Sequence, residues 1–402
     1  MMPVFELTPD RPATGGTAIG PGPDGRLGFV EGALPGERVS VEVTAEYPTR
    51  FEARTVAVLQ PSAGRVAPAC PEVARGCGGC DWQFARPEFQ AELRRAVVTD
   101  CLRRLGGQSV GPDGAVTVEA GPTLDPWGYR TTLRAAVVDG RAGFRAHRSH
   151  RVVVPDRCLI AHPRAEELLV DGRFGDAQEV TIRVGTATGE RMVVATPTAA
   201  RVRVPAGVVV VGTDELAAGR TAHLHEDVAG QRLRISAGSF FQCRPDGAAA
   251  LVATVGRALD AAGVDPGGVL VDAYGGVGLF GATLGRDRPV VGVESNRAAV
   301  ADAGVNYGPD HRVVRSRVER WRADPAAVVI ADPARSGLGK GGVAALVATG
   351  AAQLVLVSCD PASLARDARL LGGQGFRLVS VTTVDLFSQT SHIETVSSFV
   401  RA

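Results

Sequence analysis

Hydrophobic and polar positions change their rhythm along the chain. In the N-terminal part the period is two: RVSVEVTAE (38–46) alternates apolar and polar side chains, and GPGPDGRLGFVEGALPGE (20–37) supplies glycine and proline turns. Short alternating strands between such turns predict a small β-barrel over residues 1–62. PSAGRVAPAC (61–70) reads as a linker. The period lengthens to about 3.6 in RPEFQAELRRAVVTDCLRRLGG (86–107). There Leu93, Val97, Cys101, Leu102 and Leu105 share one helical face, and Gly106-Gly107 ends the run. Strand patterns return over 125–235, so residues 63–237 are expected to hold a β-rich central domain.

From residue 239 the texture changes again. GGVLVDAYGGVGLFGATLG is strand, glycine-rich turn, helix; RPVVGVESNRAAVADAGVN is strand, acidic end, helix. AAVVIADPARSG and AQLVLVSCDPASLARDARLL repeat the strand-then-loop form. Strands alternating with helices predict a doubly wound α/β domain over 238–402, built on a mostly parallel sheet. Ligands of such sheets bind at the carboxyl ends of the strands. Gly275, Glu294, Asp332 and Cys359 are all expected on that rim.

Composition sets bounds. At 402 residues, 45% hydrophobic and 22% charged, the chain is globular and long enough for roughly two or three domains. The start, MMPVFELTPD, has neither the basic region nor the apolar core of a signal peptide. No apolar run reaches the roughly 18–20 residues that span a bilayer. A soluble cytoplasmic protein with no membrane partner is expected. Net charge is +1, which does not announce a nucleic-acid binder. Local charge says more. Residues 129–157 carry Arg130, Arg134, Arg141, Arg145, Arg148, Arg151 and Arg157, with His147 and His150. Such a patch either neutralises phosphates or forms a solvated sheet face. Lys340 is the sole lysine, a compositional bias with no bearing on function.

Four groups of residues carry candidate chemistry. VDAYGGVGLFG places Gly275, Gly276 and Gly278 after a strand, where a missing Cβ lets backbone approach a ligand. Glu294 ends the next strand, and a carboxylate there accepts from ribose hydroxyls. The glycine pattern is shifted from a dinucleotide fingerprint, which favours S-adenosylmethionine over a dinucleotide. CPEVARGCGGC (70–80) supplies Cys70, Cys77 and Cys80, and Cys158 is a remote fourth; four thiolates suit zinc or an iron–sulfur cluster. Asp332 in IADPARSGLG is a strand-end acid, either a turn former or a site organiser. Cys359 in VLVSCDPASLARD and Glu394 in FSQTSHIETVSSF form a thiol–carboxylate pair.

That pair suits one reaction. Carbon 5 of uracil is too weak a nucleophile to take a methyl group unaided. A thiolate added to carbon 6 makes carbon 5 nucleophilic. A base must then remove the carbon-5 proton so that the thiolate leaves. Taken singly, a lone cysteine is more often buried core and a glutamate surface. Asp360 beside the thiol opposes thiolate formation, and Arg366 is the candidate cation to favour it.

These residues resemble the bacterial RNA 5-methyluridine methyltransferases that carry a TRAM domain and an iron–sulfur cluster. GFVEGALPGERVSVEV looks like the TRAM barrel and CGGCDWQ like the cluster loop. SFFQCRPDGAAAL, DAYGGVGLFG, ADPARSGLG, VSCDPASLARD and TSHIE match the catalytic motifs in order. The resemblance implies a Rossmann-like methyltransferase domain behind a TRAM/OB-like barrel. It implies S-adenosylmethionine contacts at Gln242, Tyr274, Glu294 and Asp332, a nucleophile at Cys359, and a base at Glu394. It implies 4Fe–4S ligation by Cys70, Cys77, Cys80 and Cys158, and packing of helix 86–107 on the catalytic domain. The implied substrate is RNA: ribosomal first, transfer RNA second. The competing readings are a catalytically silent RNA-binding protein and, more weakly, a dehydrogenase. Departures are a six-residue first cysteine gap, Arg244 where asparagine is common, and Ala334 and Ser388 where prolines are common. None removes a group the chemistry requires.

Overall fold

The computed structural model describes residues 3–111, 114–263, 265 and 267–402. Three sheets and a hairpin organise them. The first sheet has six strands in the order Val4–Leu7, Arg38–Glu46, Arg50–Gln60, Leu27–Glu31, Ala18–Pro21, Arg11–Pro12. The period of two is its cause: Val39, Val41 and Val43 point inward and are buried. They meet Leu7, Ala18, Val30, Phe51 and Ala53 in one core, so five of the six strands close on the same apolar centre.

The second sheet also has six strands, ordered Val152–Val153, Arg141–Arg145, Thr132–Val138, Glu179–Val184, Arg191–Thr196, Val208–Gly212. Helix Pro163–Asp171 covers it, burying Leu168 and Leu169 beside Phe174 and Ile182.

The third sheet has eight strands. Arg312–Arg315, Val290–Glu294, Leu270–Ala273, Val328–Ala331 and Gln353–Ser358 run parallel; Glu394–Arg401 then pairs antiparallel, followed by Phe376–Val384 and Val118–Ala120. Its central strands are buried on both faces, and Gln353–Ser358 is buried at every position. That explains continuous apolar runs where the first sheet alternates. Among the described residues no helix is long and apolar enough to cross a membrane.

Besides strand Val118–Ala120, two further pieces that precede residue 238 join this third core. Helix Pro87–Arg104 lies against helix Pro361–Gly372 and buries Leu93, Val97, Cys101 and Leu102. Leu105, expected on that face, is 48% exposed although its backbone stays helical and its N–H donates to the Cys101 carbonyl: it caps the helix, one residue past the last buried turn. Cys101 is a core residue, clustered with Val97, Val98 and Leu364. Hairpin His223–Val228/Gln231–Ser236 sends Leu224, Leu233 and Ile235 into the core beneath the glycine-rich turn. Asp302, fully buried, fixes it by accepting from Arg234 Nε at 2.8 Å and from the Ser236 N–H at 2.8 Å.

Candidate active site and cysteine cavity

The parallel register puts the strand ends on a level. Ala273 lies opposite Val293 and Ala331, and Ala331 opposite Leu356. The residues that follow these strands therefore gather at one rim. A cleft of about 610 Å³ opens there. Gln242, Tyr274, Glu294, Asp332, Cys359 and Glu394 all line it.

Glu294 shapes the floor. Its Oε2 accepts from the Gly276 N–H at 3.1 Å, and Oε1 accepts from the Ser295 and Asn296 N–H groups, both at 2.6 Å. The glycine turn has a second reason for its composition. Gly276 and Gly278 have φ of 55° and 91°, and a Cβ on Gly278 would strike the Tyr307 ring. Tyr307 donates to Asp272 Oδ2 at 2.8 Å, and the same oxygen accepts from the Gly281 N–H at 2.8 Å. Asp272 and Tyr307 were not legible as site residues, since each looks like an ordinary strand or helix position. Tyr274 sits in the left-handed region at φ 56°, and its hydroxyl donates to Glu319 Oε1 at 2.8 Å. Gln242 Nε2 reaches Asp332 Oδ2 at 3.5 Å.

Cys359 and Glu394 meet because the last strand runs backwards. Ser358 pairs with Thr395, so the next residue along one strand neighbours the previous residue along the other. Glu394 is 4% exposed, and its Oε1 has no hydrogen-bond partner among the described residues. An unpartnered buried carboxyl oxygen is costly, and it belongs to a residue that lines the cleft. Burial, and then the neighbouring Asp332, pushes the Glu394 carboxyl well above its ordinary range. Burial, then Asp272, pushes Asp332 up to about 7. Burial, then Glu394 and Asp332, pushes the Cys359 thiol up to about 12, with Arg335 opposing.

The cation that faces the thiol is thus Arg335, which also lines the cleft. Arg366 is not that group. Its guanidinium is held by Asp367 Oδ1 at 2.8 Å and by the Ser336 carbonyl at 2.6 Å. Arg366 lies one turn into helix Pro361–Gly372, whose geometry turns it toward the Ser336–Leu338 loop. Asp360 caps the same helix, accepting from the Ser363 N–H at 2.7 Å.

Cys70, Cys77, Cys80 and Cys158 line a separate cavity of about 250 Å³, together with Gln83, Arg130 and His392. Burial raises the thiols of Cys80 and Cys158 to about 12, and that of Cys77 above its usual value. Among the described residues no three His, Cys, Asp or Glu side chains are gathered closely enough to hold a single metal ion. His392 lines both cavities.

The arginine-rich segment is laced with acids. Arg134 and Arg145 share Glu179, Arg148 reaches Glu52, and Arg157 lies 3.9 Å from Glu166. The departures at 244 and 388 touch each other. Buried Arg244 stacks on Tyr129 at 4.3 Å, holds Asp246, and reaches Ser388 Oγ at 3.4 Å. The hydroxyl at 388 thus takes a donor that a proline would leave unpaired.

Comparison with known proteins decides the family. The chain is 36% identical to an uncharacterized RNA methyltransferase of Streptomyces coelicolor, over 98% of this chain and 92% of that one. It belongs to the RNA methyltransferases. This RNA methyltransferase is also 34% identical to the 23S rRNA (uracil(1939)-C(5))-methyltransferase RlmD of Alkalilimnicola ehrlichii, over 94% and 92% of the two chains. Its fold matches the Pyrococcus abyssi tRNA (uracil-54, C5)-methyltransferase, solved with S-adenosyl-L-homocysteine. That match has a TM-score of 0.74 at 22% identity and covers 98% of this chain and all of the other. No family model matches the chain.

Proposed function

We propose that the enzyme methylates carbon 5 of uridine in RNA, with S-adenosylmethionine as donor and Cys359 and Glu394 as the catalytic pair. The observation that carries this reading is their meeting in one cleft, with a glutamate oxygen buried and unpartnered beside the thiol. Burial and mutual repulsion disfavour the charged forms of Asp332, Glu394 and Cys359, so a cation in the cleft favours their ionised forms and with them a Glu394 able to take a proton. The sulfonium of S-adenosylmethionine is such a cation, and Glu294 stands where ribose hydroxyls are expected. Gln242, Tyr274, Glu294 and Asp332 hold the cofactor.

The chemistry balances with water as acceptor of the thiol proton. Cys359 gives that proton to water, its thiolate sulfur bonds to carbon 6 of uracil, and the 5,6 electron pair moves onto the carbon-4 oxygen. The resulting enolate attacks the sulfonium methyl from carbon 5, releasing S-adenosylhomocysteine. Glu394 takes the carbon-5 proton, and the electron pair restores the 5,6 double bond as the thiolate leaves. The target base must leave its stack for carbon 6 to be reached, so a loop uridine is the favoured substrate.

Ribosomal RNA is the preferred substrate class. Its support is the 34% identity, across nearly the whole chain, to an enzyme named for 23S rRNA. The sheet over 4–60 is read as an RNA-gripping TRAM barrel. Mapping 5-methyluridine by mass spectrometry in ribosomal and transfer RNA, with and without the gene, tests the reading. One 23S site lost with the gene is expected. A transfer-RNA site would move the substrate, and no lost methyl group in any RNA would leave a silent RNA-binding protein.

The cysteine cavity is read as a 4Fe–4S site held by Cys70, Cys77, Cys80 and Cys158. What supports it is that all four cysteines line one cavity. A bound cluster ties residues 70–80 to the segment at 158; no step of the methylation runs through it. Anaerobically purified protein is expected to be brown and to hold about four irons per chain. Colourless protein with one tightly bound zinc would overturn the cluster.

A further inference from the structure

Asp81 directly follows Cys80, and its carboxylate crosses to the catalytic strand's approach. Oδ1 accepts from the Ser391 N–H at 2.7 Å and Oδ2 from the Ser391 hydroxyl at 2.6 Å. The next residue repeats the link: the Trp82 N–H donates to the Gln389 carbonyl at 3.1 Å. Gln389 needs holding, because at φ 69° it occupies the left-handed region, where a side chain is strained. Gly16, in the short 3-10 turn Thr14–Gly16 between two strands of the N-terminal sheet, closes over the contact. A Cβ there would stand 2.9 Å from Asp81 Oδ2 and 3.0 Å from Ser391 Cβ.

Two different supports therefore hold the segment leading to Glu394. One is rigid: Arg94, on helix Pro87–Arg104, donates to the Thr390 carbonyl at 2.9 Å and the Phe387 carbonyl at 3.3 Å, and Gln90 accepts from the Gln389 N–H at 2.9 Å. The other, Asp81 and Trp82, lies on a stretch without helix or strand, immediately after the cysteine loop. Trp82 is itself buried beside Leu93, and its carbonyl accepts from Gln90 Nε2 at 3.1 Å; Asp81 is the part that adjoins Cys80. His392, between Ser391 and Glu394, walls both cavities.

We propose that Asp81 is a positioning residue that makes the placement of Glu394 depend on the integrity of the four-cysteine site. The idea rests on the reading of Glu394 as the base. The helix keeps the segment folded when the cysteine site is disrupted; what loosens is the aim of the carboxylate. Thiolate addition is then spared while proton removal slows.

The test uses the full-length protein as purified, with its bound metal, in Asp81→Asn, Cys158→Ser and double forms. Cys158 lies far from Asp81 in sequence, so an effect of its loss on Ser391 must travel through the site. Backbone amide exchange at Ser391 is expected to rise on the order of tenfold in each single variant, since each loses a charge-assisted bond. The double variant should rise no further. Asp81→Asn should keep its metal content and cofactor affinity, lose turnover, and accumulate a covalent protein–RNA adduct. Unchanged exchange in Cys158→Ser, additive effects in the double variant, or activity lost only in step with metal would overturn the proposal. Ser391→Ala removes the hydroxyl half of the contact and leaves the N–H half, and it covers a misfolded Asp81 variant: exchange at residue 391 should rise there too, by less than in Asp81→Asn, and unchanged exchange would also overturn the proposal. Failure of the methylation reading shows separately, as wild-type protein that methylates no RNA; the exchange measurement stands apart from it.

Discussion

Cys359→Ala is expected to abolish methyl transfer, by on the order of 10⁴-fold or more, while S-adenosylmethionine binds with unchanged affinity. The separation follows from where the groups sit. The floor of the cleft is held by Glu294, Gly276 and the Asp272–Tyr307 bond, none of which involves the thiol. Truncation at residue 359 removes only the atom proposed to add to uracil. Calorimetric cofactor binding beside a methyl-incorporation assay checks both halves, and retained turnover would remove Cys359 as nucleophile. The same thiol sets a pH dependence. In the free protein it is pushed up to about 12, so below that pH it is protonated and its thiolate fraction grows with pH. Adduct formation with RNA should therefore quicken toward alkaline pH, by up to about tenfold per unit. A bound sulfonium and Arg335 both pull the thiol down, so a flattened profile in the presence of cofactor is the corresponding signature.

Glu394→Gln is expected to do the opposite of nothing: it should stop the reaction late. Addition and methyl transfer precede the step that needs a base, and a neutral amide cannot take the carbon-5 proton. Methylated RNA should stay joined to the protein through Cys359. A shifted band in denaturing gels, lost in a Cys359→Ala background, reads this directly. Free 5-methyluridine product at wild-type rate would count against Glu394 as base. The glutamine also relieves a buried carboxyl whose Oε1 has no partner, so the variant should fold at least as well as the parent.

Much of this was legible in the sequence because the relevant signals are local. Val39, Val41 and Val43 alternate with polar neighbours, and the strand-end positions of Glu294, Asp332 and Cys359 follow from apolar runs that stop. What was not legible is contact between distant segments. Arg335 sits within a quoted motif, yet nothing in its spacing says that it, and not Arg366, faces the thiol; only the loop's path decides. Asp272 and Tyr307 look like generic strand and helix residues, and their role appears when the ring is found filling the space that three glycines leave. Leu105 keeps the spacing of the stripe and helical backbone at the cap, and periodicity alone does not say how far along a helix the covering partner extends.

The antiparallel entry of the last strand carries a further consequence. Glu394 reaches the cleft because Thr395 pairs with Ser358, and side chains on a strand alternate between faces. The connection from Asp385 to Ile393 is pinned by Arg94, Gln90 and Asp81, so it has little slack to absorb a change of length. A single inserted or deleted residue there would be passed on to the strand as a slip in register, and a slip by one turns the carboxylate to the opposite face. Insertions that the glycine turns of residues 20–37 would take in their stride are thus barred from this connection by parity.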